Sequence, residues 1–344
     1  MTWSKIVGHR TWIDAFAEVV RRRRLAHAYL FVGPQGVGKR LFARELAKAM
    51  LCERSTPEHF EACDACASCQ LVDAGTHPDF FIVGKPEDKN EMPVETMREL
   101  CGNFSLKSSR GRGKVGILDD ADDLNEESAN CFLKTLEEPP PGSVFILLCT
   151  SLEAQLPTIR SRCQTIRFAP LTEAETKEVL SRQELADPAM LPRILHLAGG
   201  SPGQALELAD PAIWEARNLV LAGLGQPKID AVGLGKKITE FAEDAGKETV
   251  LHRKRAYRLL RLLLQAWQDA ARLTVGGEPP SAEAEDARLV QSLAQGRSAE
   301  TFLSLMERSL EAETQIGRYI QLGLVLEGLL ESWAQIQERG RKEA

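Results

Sequence analysis

No run of eighteen or more apolar residues occurs in this chain, which excludes a membrane-spanning helix on length alone. The opening residues, Met1-Thr2-Trp3-Ser4-Lys5, lack the apolar core of a secretion signal, so the expected compartment is the cytoplasm. An excess of positive charge is missing too. With 43 Lys and Arg against 49 Asp and Glu, the formal charge of −6 excludes a protein that coats nucleic acid by bulk electrostatics and leaves room only for local patches. Aromatic residues make up only 6% of the chain. None interleaves with the two basic runs, Arg21-Arg22-Arg23-Arg24 and Lys107-Ser108-Ser109-Arg110-Gly111-Arg112-Gly113-Lys114, which argues against a stacking platform for single strands. The first run closes a helix and suits the negative end of its dipole; the second is a flexible loop, either solvated or touching DNA phosphates. Low-complexity tracts and internal repeats are absent.

What is present is ordinary globular material, and 344 residues predict two or three domains with cores of their own. In the first half, four short apolar runs read as buried strands: Ala28–Val32, 80–83, 115–118 and 144–149. Helical patterns separate them, which predicts an α/β domain with a parallel sheet covered on both faces. An open sheet of this kind places its ligand site at the strand ends, where polar residues of interest stand. Strand signals stop after Phe168-Ala169-Pro170. Thr172 followed three residues on by Glu175 predicts a capped helix start, and short helices then run to about Leu208. From about Asp210 the chain reads as helical to its end, with apolar residues at helical spacing over 258–271 and 302–336 and a loop at 276–281.

The chemistry begins with Gly33-Pro34-Gln35-Gly36-Val37-Gly38-Lys39, placed between a strand and a helix. Gly33, Gly36 and Gly38 let backbone N–H groups curl around phosphate, the helix N-terminus adds positive potential, and Lys39 would reach the outer phosphates of ATP or ADP. The next position should carry a Ser or Thr hydroxyl for Mg²⁺, yet it holds Arg40, a cation where a cation should bind. Hydrolysis here should be crippled; the alternative is that Arg40 swings outward and water replaces the hydroxyl. After the third strand, Asp119 is placed to steady the metal shell. Asp120 stands where a Glu commonly polarises water, one methylene short. Both Asp could instead merely cap the following helix.

Cys52, Cys63, Cys66 and Cys69 crowd one short stretch. In a reducing compartment this pattern points to a closed, tetrahedral structural Zn²⁺ site, with a His59 or His77 substitution for one thiolate or a free-thiol cluster as alternatives. Cys101, Cys131, Cys149 and Cys163 fall on apolar segments and read as core.

Three stretches carry a resemblance: Lys114-Val115-Gly116-Ile117-Leu118-Asp119-Asp120-Ala121-Asp122, Leu133-Lys134-Thr135-Leu136-Glu137-Glu138-Pro139-Pro140, and Ser161-Arg162-Cys163. Together with His27-Ala28-Tyr29-Leu30-Phe31, they are similar to the AAA+ clamp-loader subunits of bacterial DNA polymerase III over roughly residues 5–205. The resemblance implies an AAA+ P-loop domain over 1–168 with a zinc module at 52–69, a small helical lid domain over 169–209 and an all-helical collar domain over 210–344. It makes Arg162 an arginine finger reaching the ATP of a neighbouring subunit, and Thr150 a sensor at the end of the fourth strand. It places Gly203 where the motor subunit, gamma or tau, has a sensor Arg. Arg40, Asp120 and Gly203 all weaken hydrolysis while Arg162 is kept, so the resemblance favours the member that donates a finger over the ATP-hydrolysing gamma/tau motor. Its implied partners are gamma/tau and delta subunits in a hetero-pentamer, the sliding clamp, and primer-template DNA through the assembled complex.

Overall fold

In a computed structural model, residues 2–86, 89, 91–183, 189–226, 228–277 and 284–343 are described. Met1 and positions 278–281 of the expected loop therefore lie outside the described residues. The chain divides into two units, Met1–Leu206 and Glu207–Ala344.

The first unit runs α1 (Arg10–Arg21), β1 (Ala28–Val32), α2 (Lys39–Leu51), α3 (Ala67–Asp73), β2 (Phe80–Val83), α4 (Val94–Ser105), β3 (Lys114–Leu118), α5 (Glu126–Glu137), β4 (Ser143–Cys149), α6 (Pro157–Arg160) and β5 (Gln164–Arg167). Helices α7 (Glu173–Ser181), α8 (Leu191–Ala198) and α9 (Pro202–Leu208) follow, and the boundary between the units falls within α9. The four expected strands are joined by a fifth in one all-parallel sheet of order β2-β3-β4-β1-β5.

Alternation along the strands explains the two layers. Tyr29, Phe31, Val115, Ile117, Val144, Ile146 and Leu148 face one core with Phe16 of α1 and Phe42 and Leu46 of α2. Ala28, Leu30, Val32, Phe145, Leu147 and Cys149 face the other, with Met97, Leu100 and Phe104 of α4 and Phe132 and Leu136 of α5. Phe31, Phe42 and Phe168 meet at ring-centroid distances of 5.0 to 5.9 Å and lie against the base of the phosphate loop. Burying each such ring stabilises the fold by roughly 1.5–3 kcal/mol, which makes this end of the sheet a stiff base for the loop.

Helix α7 starts as its sequence requires: the Thr172 hydroxyl accepts from the Glu175 N–H at 3.3 Å, and the Glu175 carboxylate accepts from the Thr172 N–H at 2.8 Å.

Among the described residues the second unit is all helical: α10 (Pro211–Gly225), α11 (Ala231–Glu243), α12 (Thr249–Thr274), α13 (Ala284–Ala294), α14 (Ala299–Gly317) and α15 (Leu322–Glu343). Its core includes Leu259, Leu263 and Trp267 of α12 with Leu329 and Trp333 of α15. The apolar repeat over 302–336 is two helices. The break comes at Tyr319, which takes a left-handed φ of 59° without the help of a glycine.

Candidate nucleotide and metal sites

The phosphate loop joins the C-terminal end of β1 to the start of α2. Gly36 and Gly38 adopt φ of 78° and 99°, which an L side chain takes up only with strain. Five successive carbonyls of the loop are engaged. Lys39 Nζ donates to the Gly33 and Pro34 oxygens at 2.6 and 2.8 Å, Ser201 Oγ to Gln35 O at 2.8 Å, and Gly203 N to Gly36 O at 2.9 Å; His9 Nε2 lies 2.9 Å from Val37 O. The amides of Gln35, Gly36, Val37 and Gly38 have no acceptor among the described residues. Carbonyls tied outward with amides left over is the arrangement that receives phosphate oxygens. Lys39 is buried, which pushes its pKa down, against the opposing pull of Cys149, Asp122, Asp119 and Asp120.

Helix α9 begins directly on this loop. A Cβ on Gly203 would lie 2.7 Å from the Gly36 Cα, so the absence of a side chain at 203 is what permits the approach.

Arg40 turns toward the acidic motif rather than away from it: its Nη1 stands 3.2 Å from Asp119 Oδ2. Asp120 has a left-handed φ of 52°, and its carboxyl pKa is raised by burial and then by Asp119 and Asp123. Asp122 accepts from the Thr150 N–H at 2.6 Å, the Thr150 hydroxyl at 2.8 Å and Gln155 Nε2 at 3.3 Å. The Thr150 hydroxyl is thus occupied by Asp122, a partner that its position in the sequence did not disclose.

Arg162 follows α6 at a distance in sequence from the phosphate loop. Its Nη1 donates to Thr158 O at 2.9 Å and Ser161 Oγ at 3.2 Å, and its Nη2 to Glu137 Oε1 at 2.5 Å.

The sulfur atoms of Cys52, Cys63, Cys66 and Cys69 all lie within 4.8 Å of one another. The Cys63 and Cys66 amides point at the Cys52 and Cys63 sulfurs, each at 3.3 Å. Backbone N–H donation, first from Ala65, brings the Cys63 thiol down to about 6, whereas burial pushes Cys69 up. Four sulfurs in one tight group, with amides aimed at them, fit a metal ion that prefers thiolates. Both histidine alternatives lie elsewhere. His59 is exposed, and His77 is buried with Nδ1 accepting from the Asp79 amide at 3.0 Å and Nε2 3.3 Å from Ser68 Oγ.

The cysteine stretch is fixed to the sheet domain by Lys48, fully buried on α2, which pairs with Asp64 and with Asp73 at 2.5 Å. The basic loop 107–114 is not free. Asp79 accepts from Ser108 Oγ, Ser109 N and Arg110 N, while Arg110 and Arg112 reach Glu53 and the Ser55 carbonyl. Both arginines are engaged in joining loop and cysteine stretch.

Comparison with known proteins gives this geometry a lineage. Residues 8–172 match the family described as DNA polymerase III, delta subunit. The chain is 39% identical to DNA polymerase III subunit delta' of Pseudomonas aeruginosa over 216 residues, 62% of this chain and 65% of that protein. It is 35% identical to the Escherichia coli subunit delta' over 198 residues, 58% of this chain and 59% of that one. The E. coli subunit tau is 34% identical over 220 residues, 62% of this chain and 33% of tau. These matches span less than two thirds of each relative. A crystal structure of a gamma-subunit-related protein from Thermotoga maritima superposes with a TM-score of 0.46 and 14% identity, covering 94% of this chain and 99% of that one. The relatives thus include proteins named subunit delta' and subunit tau. Among the described residues no helix is long and apolar enough to cross a membrane.

Proposed function

We propose that this chain is a delta-prime-type subunit of a bacterial clamp loader. In this reading it does not hydrolyse ATP efficiently but offers Arg162 to the ATP of an adjacent gamma/tau-type motor subunit, so that the sliding clamp is loaded on primed DNA. The observation that carries the reading is the Arg40–Asp119 pair: a guanidinium rests on the carboxylate that a working site would offer to Mg²⁺. With that slot taken, the chain's own metal–triphosphate centre does not assemble, and its contribution passes to a neighbour. A planar, permanently charged guanidinium suits the charge that develops on a transferring phosphoryl group.

Other features support the same assignment. Gly203 has no side chain to reach a phosphate, and Thr150 is held by Asp122. The four cysteines hold a structural Zn²⁺ with no open position for chemistry. Leu303 and Leu310, seven residues apart on α14, are exposed along one face, as a collar helix packing on neighbours in a hetero-pentamer with gamma/tau and delta subunits requires. The compartment is the cytoplasm.

A second reading, the gamma/tau motor itself, is favoured by the unengaged amides of Gln35 to Gly38 and by Lys39. Steady-state ATP hydrolysis separates the two. We expect none above background from this chain alone, and turnover in a reconstituted complex with clamp and primed DNA that falls about 10³-fold or more on Arg162→Ala, the scale of an arginine finger. Brisk turnover by the isolated chain would identify a motor.

A further inference from the structure

Glu137 ends α5, where a negative charge opposes the helix dipole and so does not help the helix. Its carboxylate instead meets Arg162 from an element 25 residues earlier in the chain. The other two acceptors of that guanidinium, Thr158 O and Ser161 Oγ, belong to the same turn as Arg162 and both bind Nη1. A guanidinium held at one nitrogen can still pivot about it. The bond from Nη2 to Glu137 Oε1 fixes the second nitrogen, and with it the plane of the group. Of the five N–H groups, one on Nη2 and the one on Nε remain for an incoming phosphoryl oxygen. The Arg162 side chain keeps 31% of its surface exposed.

We infer that Glu137 is a positioning residue for Arg162: it holds the guanidinium plane so that the Nε and Nη2 edge is presented to a phosphoryl group outside this chain. The inference rests on the finger reading above. A pre-set arginine spares the ordering of a rotamer-rich side chain at each encounter, and its loss lowers the rate by about threefold to tenfold. Because the effect operates on the transition state, it falls on kcat for ATP and leaves KM unchanged. Glu137→Gln keeps the acceptor oxygen at the same reach and therefore keeps most of the rate.

The test is a double-mutant cycle in the reconstituted loader with clamp and primed DNA, following ATP hydrolysis for wild type, E137A, E137Q, R162A and E137A/R162A. Support is a fall of about threefold to tenfold in kcat with E137A, near-recovery with E137Q, and no further loss when E137A is added to R162A. If R162A leaves the rate intact, the finger reading fails and the positioning role goes with it. Should R162A lower the rate while E137A leaves it unchanged or raises it, the finger stands and the positioning role is overturned. An equal fall from E137A in both backgrounds would assign Glu137 a general structural part and overturn the inference as well.

Discussion

Substituting Arg40 with Thr tests the chemistry on which the functional reading depends. The substitution restores a hydroxyl at the position that would face Mg²⁺ and removes a charge from Asp119. The ion pair itself contributes little. Arg40 is 67% exposed and meets Asp119 through a single 3.2 Å contact, a geometry worth about 0.2–1 kcal/mol after solvent screening. Repulsion matters more. A unit positive charge about 4 Å from a divalent cation opposes it by ~2 kcal/mol even at the dielectric constant of water, roughly a thirtyfold loss of metal affinity. In wild type, therefore, affinity for a fluorescent ATP analogue should be the same within about twofold with Mg²⁺ or with EDTA, because Arg40 already supplies the cation. In R40T the Mg²⁺ form should bind roughly thirtyfold more tightly than the metal-free form. Asp120 and Gly203 are unchanged in that variant, so hydrolysis should stay low. A wild-type affinity that depends on Mg²⁺ by more than about tenfold, or an R40T ratio no larger than the wild-type ratio, would refute the reasoning.

The metal site predicts about one zinc per chain by elemental analysis. Cys63→Ser should release the ion and lower the thermal midpoint, and a Cys63→Ser protein that keeps full zinc would exclude Cys63 as a ligand. Asp120 predicts a pH-dependent effect. Because burial and its acidic neighbours raise its folded-state pKa, the unfolded chain gives up this proton first. Its adverse contribution is absent below the ordinary Asp range and grows as pH rises through the raised value. Asp120→Asn, which also tolerates the left-handed backbone, should therefore raise the unfolding midpoint near neutral pH and much less in acid. Equal gains at both pH values would leave only the backbone explanation.

The parts of this molecule that follow from local patterning were legible, and the parts that depend on a distant partner were not. Four strands were visible as runs of apolar residues: β1, β3 and β4 are buried on both faces, while β2, with Ile82 exposed, is carried by its apolar run alone. Strand β5, Gln164-Thr165-Ile166-Arg167, is an edge strand paired only with β1, and its single fully buried residue, Ile166, gives almost no periodic signal. The loop 107–114 looked flexible from its glycines and charges, but the residue that pins it, Asp79, lies about 30 positions earlier. Lys48 carries no local signal of its burial between Asp64 and Asp73, which lie beyond the helix that holds it. At the phosphate loop, spacing located Lys39 and Arg40. The direction of the Arg40 side chain and the Asp122–Thr150 bonds required three-dimensional placement. Glu137 was visible as part of a motif, but nothing in its spacing tied it to Arg162.

Gly203 and Arg40 each make a defined contact beside the loop. An arginine at position 203 would need a Cβ where the backbone of Gly36 now stands, so a helix carrying that side chain could not rest on the loop as α9 does. In this contact Ser201 and Gly203 bond the Gln35 and Gly36 carbonyls and seat the start of α9 on the loop. Arg40, by contrast, pairs with Asp119 at 3.2 Å. Reversing either alone leaves the other in place, and for that reason R40T should regain metal-dependent binding well before it regains turnover.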